Sequence, residues 1–231
     1  MSTPTSHPVL SVLAALKHTR RALIAAAALL VLVPAVAFAQ KKDPKEIAEA
    51  LAKPGPRGDL VLGKADAPVT IVEYASMTCS HCANFHNTVL AKLKEKYIDT
   101  GKVRLIMREF PLDNLAAAGS MLARCAGPDK SFDVIKTLFE KQADWAFVNG
   151  NPIPALFKIV EPFGFTKESF DKCLTDQKLL DDITSVRDNA SKVLGVRATP
   201  TFFINGTKLE DRSDDIASFD KAIEPLLAAK K

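Results

Sequence analysis

Val69-Thr70-Ile71-Val72-Glu73-Tyr74-Ala75-Ser76-Met77-Thr78-Cys79-Ser80-His81-Cys82 decides how this chain reads. Its first half, Val69 to Ala75, is rich in β-branched residues and nearly apolar, the composition of a central strand buried on both faces. After Cys79 the pattern turns helical. Phe85, Val89, Leu93 and Tyr97 recur at helical spacing, and Gly101 follows the end. Two cysteines three positions apart share one face at the start of that helix. The first sulfur then lies beside unpaired main-chain N–H groups and the positive end of the helix dipole. A thiolate is favoured there, and the thiolate is the reactive form. The expected chemistry is thiol–disulfide exchange.

Outward from this stretch, Leu60 to Leu62 is a candidate strand ended by Gly63, and Val103 to Phe110 is the next, ending at Pro111. Strand, helix, strand makes a βαβ unit with a parallel pair. No convincing strand follows until Gly195. The pattern there predicts helices over 114–126, 131–145, 154–163, 167–175 and 177–194, with Thr166 as an N-cap. The breaks carry Gly127-Pro128, Asn149-Gly150-Asn151-Pro152 and Pro162-Phe163-Gly164. Strand character returns at Thr201-Phe202-Phe203-Ile204. Asn205-Gly206 is a two-residue hairpin signal, and Thr207 to Leu209 is the return strand. An amphipathic helix over 218–229 closes the chain.

The N-terminus reads as an export address. Lys17, Arg20 and Arg21 precede an apolar run from Ala22 to Val33, then Pro34 and Ala37-Phe38-Ala39. That order is a signal peptide cleaved after Ala39, leaving Gln40 first. An uncleaved anchor is the competing reading, which the Ala-x-Ala site and Pro34 disfavour. Thr19-Arg20-Arg21 loosely resembles a twin-arginine signal, although the general secretory route is favoured. The expected organisation is signal peptide 1–39, tether with a short helix 40–58, βαβ half 59–112, helical insertion 113–195 and ββα half 196–231.

The 231 residues are 47% hydrophobic, which suits a packed globule. Of 31 Lys+Arg against 27 Asp+Glu, three bases fall in 1–39. The mature part is therefore nearly balanced, which gives no electrostatic reason to expect nucleic acid or an anionic membrane as partner. All four cysteines lie beyond the signal, and export permits disulfides. Four cysteines allow three pairings. Pairing Cys79 with Cys82 locally leaves Cys125 with Cys173, and two free buried thiols are the alternative for that second pair. A metal site of Cys79, Cys82 and His86 lacks a fourth ligand in sequence, so His86 is expected to be a packed or surface residue. Ala83 after Cys82 breaks the haem-attachment pattern. Trp145, Phe163 and Phe165 are expected in the insertion core.

From Leu60 to about Ala229, the chain resembles the DsbA-like thiol:disulfide oxidoreductases of the bacterial periplasm. The resemblance rests on Val72-Glu73-Tyr74, Cys79-Ser80-His81-Cys82, Thr199-Pro200-Thr201-Phe202-Phe203-Ile204-Asn205-Gly206 and the helical block between them. It implies an α/β thioredoxin fold with an all-helical insertion between the βαβ and ββα units. It implies a redox-active Cys79–Cys82 disulfide, with Cys79 as nucleophile and Cys82 as buried resolving thiol. The His81 ring would stabilise the Cys79 thiolate, and Glu73 would shuttle the proton of Cys82. Thr199 and a cis Pro200 would bind substrate through the main chain. Ser80 stands where proline is most familiar in the family. Some relatives carry a second disulfide in the insertion, as expected for Cys125–Cys173.

The implied function is oxidation of exported, partly folded proteins in the periplasm, with no bound cofactor or metal. A DsbB-like quinone-linked membrane oxidase would recharge the pair, and the protein would be a monomer. An isomerase or reductase kept reduced by a membrane partner is the alternative. A non-catalytic metal-binding or chaperone module is a third reading.

Overall fold

The structure is a computed structural model that describes residues 43–210 and 214–229. The signal peptide, its cleavage after Ala39, the new end at Gln40 and the paired arginines all lie outside the described residues.

Five strands form one sheet among the described residues: β1 (Leu60–Leu62), β2 (Val69–Ala75), β3 (Val103–Glu109), β4 (Thr201–Ile204) and β5 (Thr207–Lys208). The spatial order is β1-β3-β2-β4-β5. β2 and β3 run parallel with Val69 opposite Val103, as the intervening helix requires. The other pairings are antiparallel. The β4–β5 hairpin turns on Asn205 and Gly206, both with positive φ (44° and 89°). A two-residue hairpin needs that conformation, which Asn and Gly adopt most readily. This is the thioredoxin-type arrangement expected, with helices inserted between its halves.

Alternation along β2 sends Val69, Ile71, Glu73 and Ala75 to one face and Val72 and Tyr74 to the other. On the first face, Val69, Ile71, Leu105, Phe202 and Ile204 pack under Phe85, Val89 and Leu93 of the helix after Cys79 and under Phe219 and Ile223 of the C-terminal helix (Ile216–Ala228). On the second, Val72, Tyr74, Ile106 and Phe203 pack against Leu51 and against Ala190 and Leu194. Leu51 belongs to α1 (Pro44–Ala52), capped by Asp43, whose side chain accepts from the Lys45 N–H. The Leu51 carbonyl also accepts from buried Arg108 (2.9 Å). The segment read as a tether therefore carries a helix that covers the sheet.

Helix α2 starts at Ser80–Asn84 and widens into a π turn at Phe85–Val89. It returns to α geometry at Leu90–Leu93 and widens again at Lys94–Ile98. The sequence explains the alternation. Phe85, Val89, Leu93 and Tyr97 are spaced by four residues, and on a pure α-helix each such step overshoots the face by about 40°. The wider π turns take that overshoot back. All four side chains stay at 2% exposure or less.

Between β3 and β4 lie α3 (Asn114–Cys125), α4 (Ser131–Glu140), α5 (Gln142–Trp145), α6 (Ile153–Val160), α7 (Lys167–Leu174) and α8 (Gln177–Asn189). Three boundaries differ from expectation. The helix predicted over 154–163 is α only to Val160 and tightens into a 3-10 turn at Glu161–Phe163. The helix predicted over 131–145 breaks at Lys141 (φ −102°, ψ 20°). The helix predicted over 177–194 widens into a π turn at Ala190–Leu194. Trp145, Phe139 and Phe170 fill the insertion core, with Phe165 buried and Phe163 packed against it. The Trp145 indole N–H donates to the Leu138 carbonyl (2.9 Å), so burial strands no donor. Met77, Cys82 and Met107 belong to this same apolar cluster. The loop that carries the cysteine quartet is thus packed into the insertion.

Candidate active site

Cys79 is the N-cap of α2, with extended main chain (φ −80°, ψ 119°). Its carbonyl accepts the first helical hydrogen bond, from the Ala83 N–H (3.1 Å). Its half-buried side chain therefore meets the open end of the helix, where the spacing placed it. Cys82, one turn on, is fully buried. Both are thiols in this structure.

The Cys79 thiol donates to the Thr199 carbonyl (3.2 Å). The Thr199–Pro200 peptide bond is cis. A loop 120 residues downstream thus presents main chain to the sulfur. The Thr199 hydroxyl is buried and has no hydrogen-bond partner among the described residues.

The two thiols are driven apart in acidity. Cys79 is lowered to about 5, chiefly because the Cys82 thiol donates to its thiolate. Burial opposes this, and the main-chain N–H groups of Cys82 and His81 add to the lowering. Cys82 is pushed well above the ordinary thiol range. Desolvation is the main cause, followed by its bond to Cys79 and the negative charge of Glu73. One member is a ready thiolate and the other holds its proton, as a nucleophile and a resolving thiol require.

Two placements bear on the sequence reading. His81 is exposed, and its main-chain N–H is among the groups that lower Cys79. Glu73 is fully buried, and its partner is His86. Nε2 of His86 lies 3.0 and 3.2 Å from the two carboxylate oxygens. A carboxylate buried alone is strongly disfavoured, and this contact is what makes Glu73 tolerable on an inward face. The His86 ring is held against Phe139 of the insertion (centroids 4.4 Å) and edge-on to Phe85 (5.3 Å). Sequence reasoning treated His86 as a packed or surface residue. It is packed; its place one turn below Cys82 on the same helix was visible, and what the sequence does not show is that Glu73 lies opposite it.

Cys125 and Cys173 are disulfide-bonded across 48 residues, joining α3 to α7, with Cα atoms 6.2 Å apart. No cluster of three or more metal-ligating side chains occurs among the described residues.

A family model described as Thioredoxin matches residues 56–225. A curated relative from Rickettsia bellii, named as a protein-disulfide oxidoreductase, is 38% identical over 168 residues, covering 72% of this chain and 65% of its own length. Disulfide bond formation protein D of Bacillus subtilis is 29% identical over 172 residues, covering 70% and 74%. The crystal structure of alpha-DsbA1 from Wolbachia pipientis superposes with a TM-score of 0.72 at 34% identity, covering 79% of this chain and 96% of that one. The chain spans 60–65% of the length of the rickettsial relatives it matches.

Proposed function

The chain belongs to the DsbA-like members of the thioredoxin family, and from that premise we propose that it is a protein thiol:disulfide oxidoreductase acting as an oxidase. It donates its Cys79–Cys82 disulfide to exported proteins. The observation that carries this reading is the split between the two thiols: Cys79 lowered to about 5 at a helix N-cap, and Cys82 buried and raised.

A substrate thiolate attacks the Cys79 sulfur and the Cys79–Cys82 bond breaks. Cys82 leaves and takes up a proton. A second substrate thiolate attacks the substrate sulfur of the mixed disulfide and displaces Cys79 as a thiolate. The substrate gains a disulfide, and its two electrons remain in the Cys79/Cys82 dithiol. A sulfur of low proton affinity leaves readily, which drives the exchange toward oxidised substrate. Glu73, held by His86, gives Cys82 its proton in this direction and takes it back when Cys82 attacks a mixed disulfide. The Thr199 main chain before Pro200 pairs with the extended substrate as an added strand. The His81 ring, between the two cysteines in the first turn, offers the thiolate a hydrogen bond or positive charge.

On the same reading, residues 1–39 direct export to the periplasm. Partly folded proteins with free thiols are the substrates, and a DsbB-like quinone-linked membrane oxidase restores the disulfide. The protein works as a monomer without a bound cofactor. Titration of the dithiol against a glutathione buffer tests the reading, together with the rate at which the disulfide form oxidises a dithiol peptide. An oxidising potential and rapid peptide oxidation are expected. A pair as hard to reduce as a structural disulfide would favour the reductase or isomerase alternative instead.

A further inference from the structure

Gln142 stands outside the sheet, outside the quartet and 63 residues beyond Cys79. Its side chain is nevertheless buried, at 5% exposure. Its amide nitrogen donates to the Met77 carbonyl (2.8 Å) and to the Cys79 carbonyl (3.1 Å). It thus fixes the Met77–Thr78 and Cys79–Ser80 peptide planes, one before and one after the nucleophile's own N–H.

The Cys79 carbonyl is also the acceptor for the first hydrogen bond of α2, from the Ala83 N–H. On the same loop, the Cys79 N–H donates to the Ser76 carbonyl (3.1 Å). The Thr78 hydroxyl donates to Asp113 (2.6 Å), whose other oxygen accepts from the Ala116 N–H at the start of α3. The loop before the nucleophile is therefore tied to the insertion at three consecutive residues, and Gln142 supplies two of the ties. The break at Lys141 makes this possible. It starts a one-turn helix whose first residue is Gln142 and whose last is the fully buried Trp145.

We propose that Gln142 is a positioning residue for the Cys79 thiolate, holding the Met77 and Cys79 carbonyls so that the N–H groups at the start of α2 converge on the sulfur. The inference rests on the oxidoreductase reading above and deepens it: the insertion sets how oxidising the dithiol is. Donors fixed in advance stabilise a charge without paying for reorganisation, and donors on a fraying first turn do not. The amide also points the positive end of its dipole at the loop. The other titratable groups around the sulfur are Cys82, His81, Glu73 with its partner His86, and Asp113 through Thr78.

The test compares wild type with Gln142→Met, similar in shape but without a donor, and Gln142→Glu, which accepts where the amide donates. Cys79 ionisation is followed in the dithiol form by thiolate ultraviolet absorbance across pH. Thermal unfolding is followed in both redox forms. The expected result for Gln142→Met is a rise of about one unit in the Cys79 midpoint, a tenfold loss in the thiolate-to-thiol ratio below it. Gln142→Glu should raise it further, and the dithiol form should lose more stability than the disulfide form. An unchanged midpoint with equal loss in both forms would overturn the proposal and leave Gln142 a packing residue. If the Met variant does not fold, the Glu variant decides by the same readout. A wild-type Cys79 that titrates as an ordinary thiol sinks the oxidase reading rather than this one.

Discussion

The two cysteine pairs use one chemistry in opposite settings. Cys79 and Cys82 sit three residues apart at a helix start, and bonding them closes a loop too small to restrain much chain. Cys125 and Cys173 lie 48 residues apart on two helices of the insertion. Closing that loop removes unfolded-state freedom worth about 4 kcal/mol. Span decides which bond braces the fold. Environment decides which can be passed on: only the first pair has one sulfur at a helix N-cap and its partner sealed in the core.

The largest expected effect tests that division directly. Cys79→Ser should lower peptide oxidation by about a thousandfold or more, since no other sulfur can take the substrate's attack. The double variant Cys125→Ala with Cys173→Ala should keep the oxidation rate within about twofold. It should lose about 4 kcal/mol in urea unfolding, less if the native bond carries strain. If the double variant lost its oxidation rate while remaining folded, the two pairs would not be separable.

Glu73→Gln sharpens the comparison on the active side, because the second pair has no buried carboxylate assigned to it. The amide fills the same space but cannot hold the proton of Cys82. Mixed-disulfide release by Cys82 should slow by about 10- to 100-fold, read in a rapid-mixing experiment with a labelled peptide. Cys79 ionisation should change little. His86→Leu should be the harsher substitution for stability, by about 3 kcal/mol or more, because it strands a buried carboxylate.

Much of this architecture was legible in the sequence because the signals are local. β2 shows itself by β-branched density, the β4–β5 hairpin by Asn205-Gly206, and the nucleophile by its three-residue spacing from Cys82. What escaped depends on contacts that no local pattern encodes. Glu73 meets His86 only because β2 lies under α2. Gln142 reaches the quartet only because α4 breaks at Lys141. Even so, the strict four-residue rhythm from Phe85 to Tyr97 held a readable hint of the π turns, since it fits a pure α-helix poorly.

The acidity of Cys79 also makes a pH prediction that separates the redox forms. Its folded value, about 5, lies below the unfolded thiol value of 9.0. A lowered group stabilises the folded dithiol in full above the unfolded value. That stabilisation is lost as pH falls toward the folded value. The disulfide form lacks the titrating sulfur. Subtracting the melting temperature of the disulfide form from that of the dithiol form should therefore give a difference that shrinks from pH 9 to pH 5. The Cys125–Cys173 bond is present in both forms and cancels. A difference constant over that window would mean that Cys79 ionises alike in the folded and unfolded chains.

The smallest effect is expected where the surroundings of the two pairs touch. Gly119 lies on α3, the helix that ends at Cys125, and faces Met77 just before the quartet. A Cβ there would stand 3.1 Å from the Met77 Cβ and 3.3 Å from the Trp145 ring. Both neighbours are fully buried, so neither can move aside freely. Overpacking of this kind costs about 1–3 kcal/mol, and replacing a mid-helix glycine by alanine returns about 1. Gly119→Ala should accordingly destabilise by about 1 kcal/mol, read as a small drop in the urea midpoint. A gain in stability would mean that Met77 yields easily, and that the insertion grips the loop through hydrogen bonds rather than close packing.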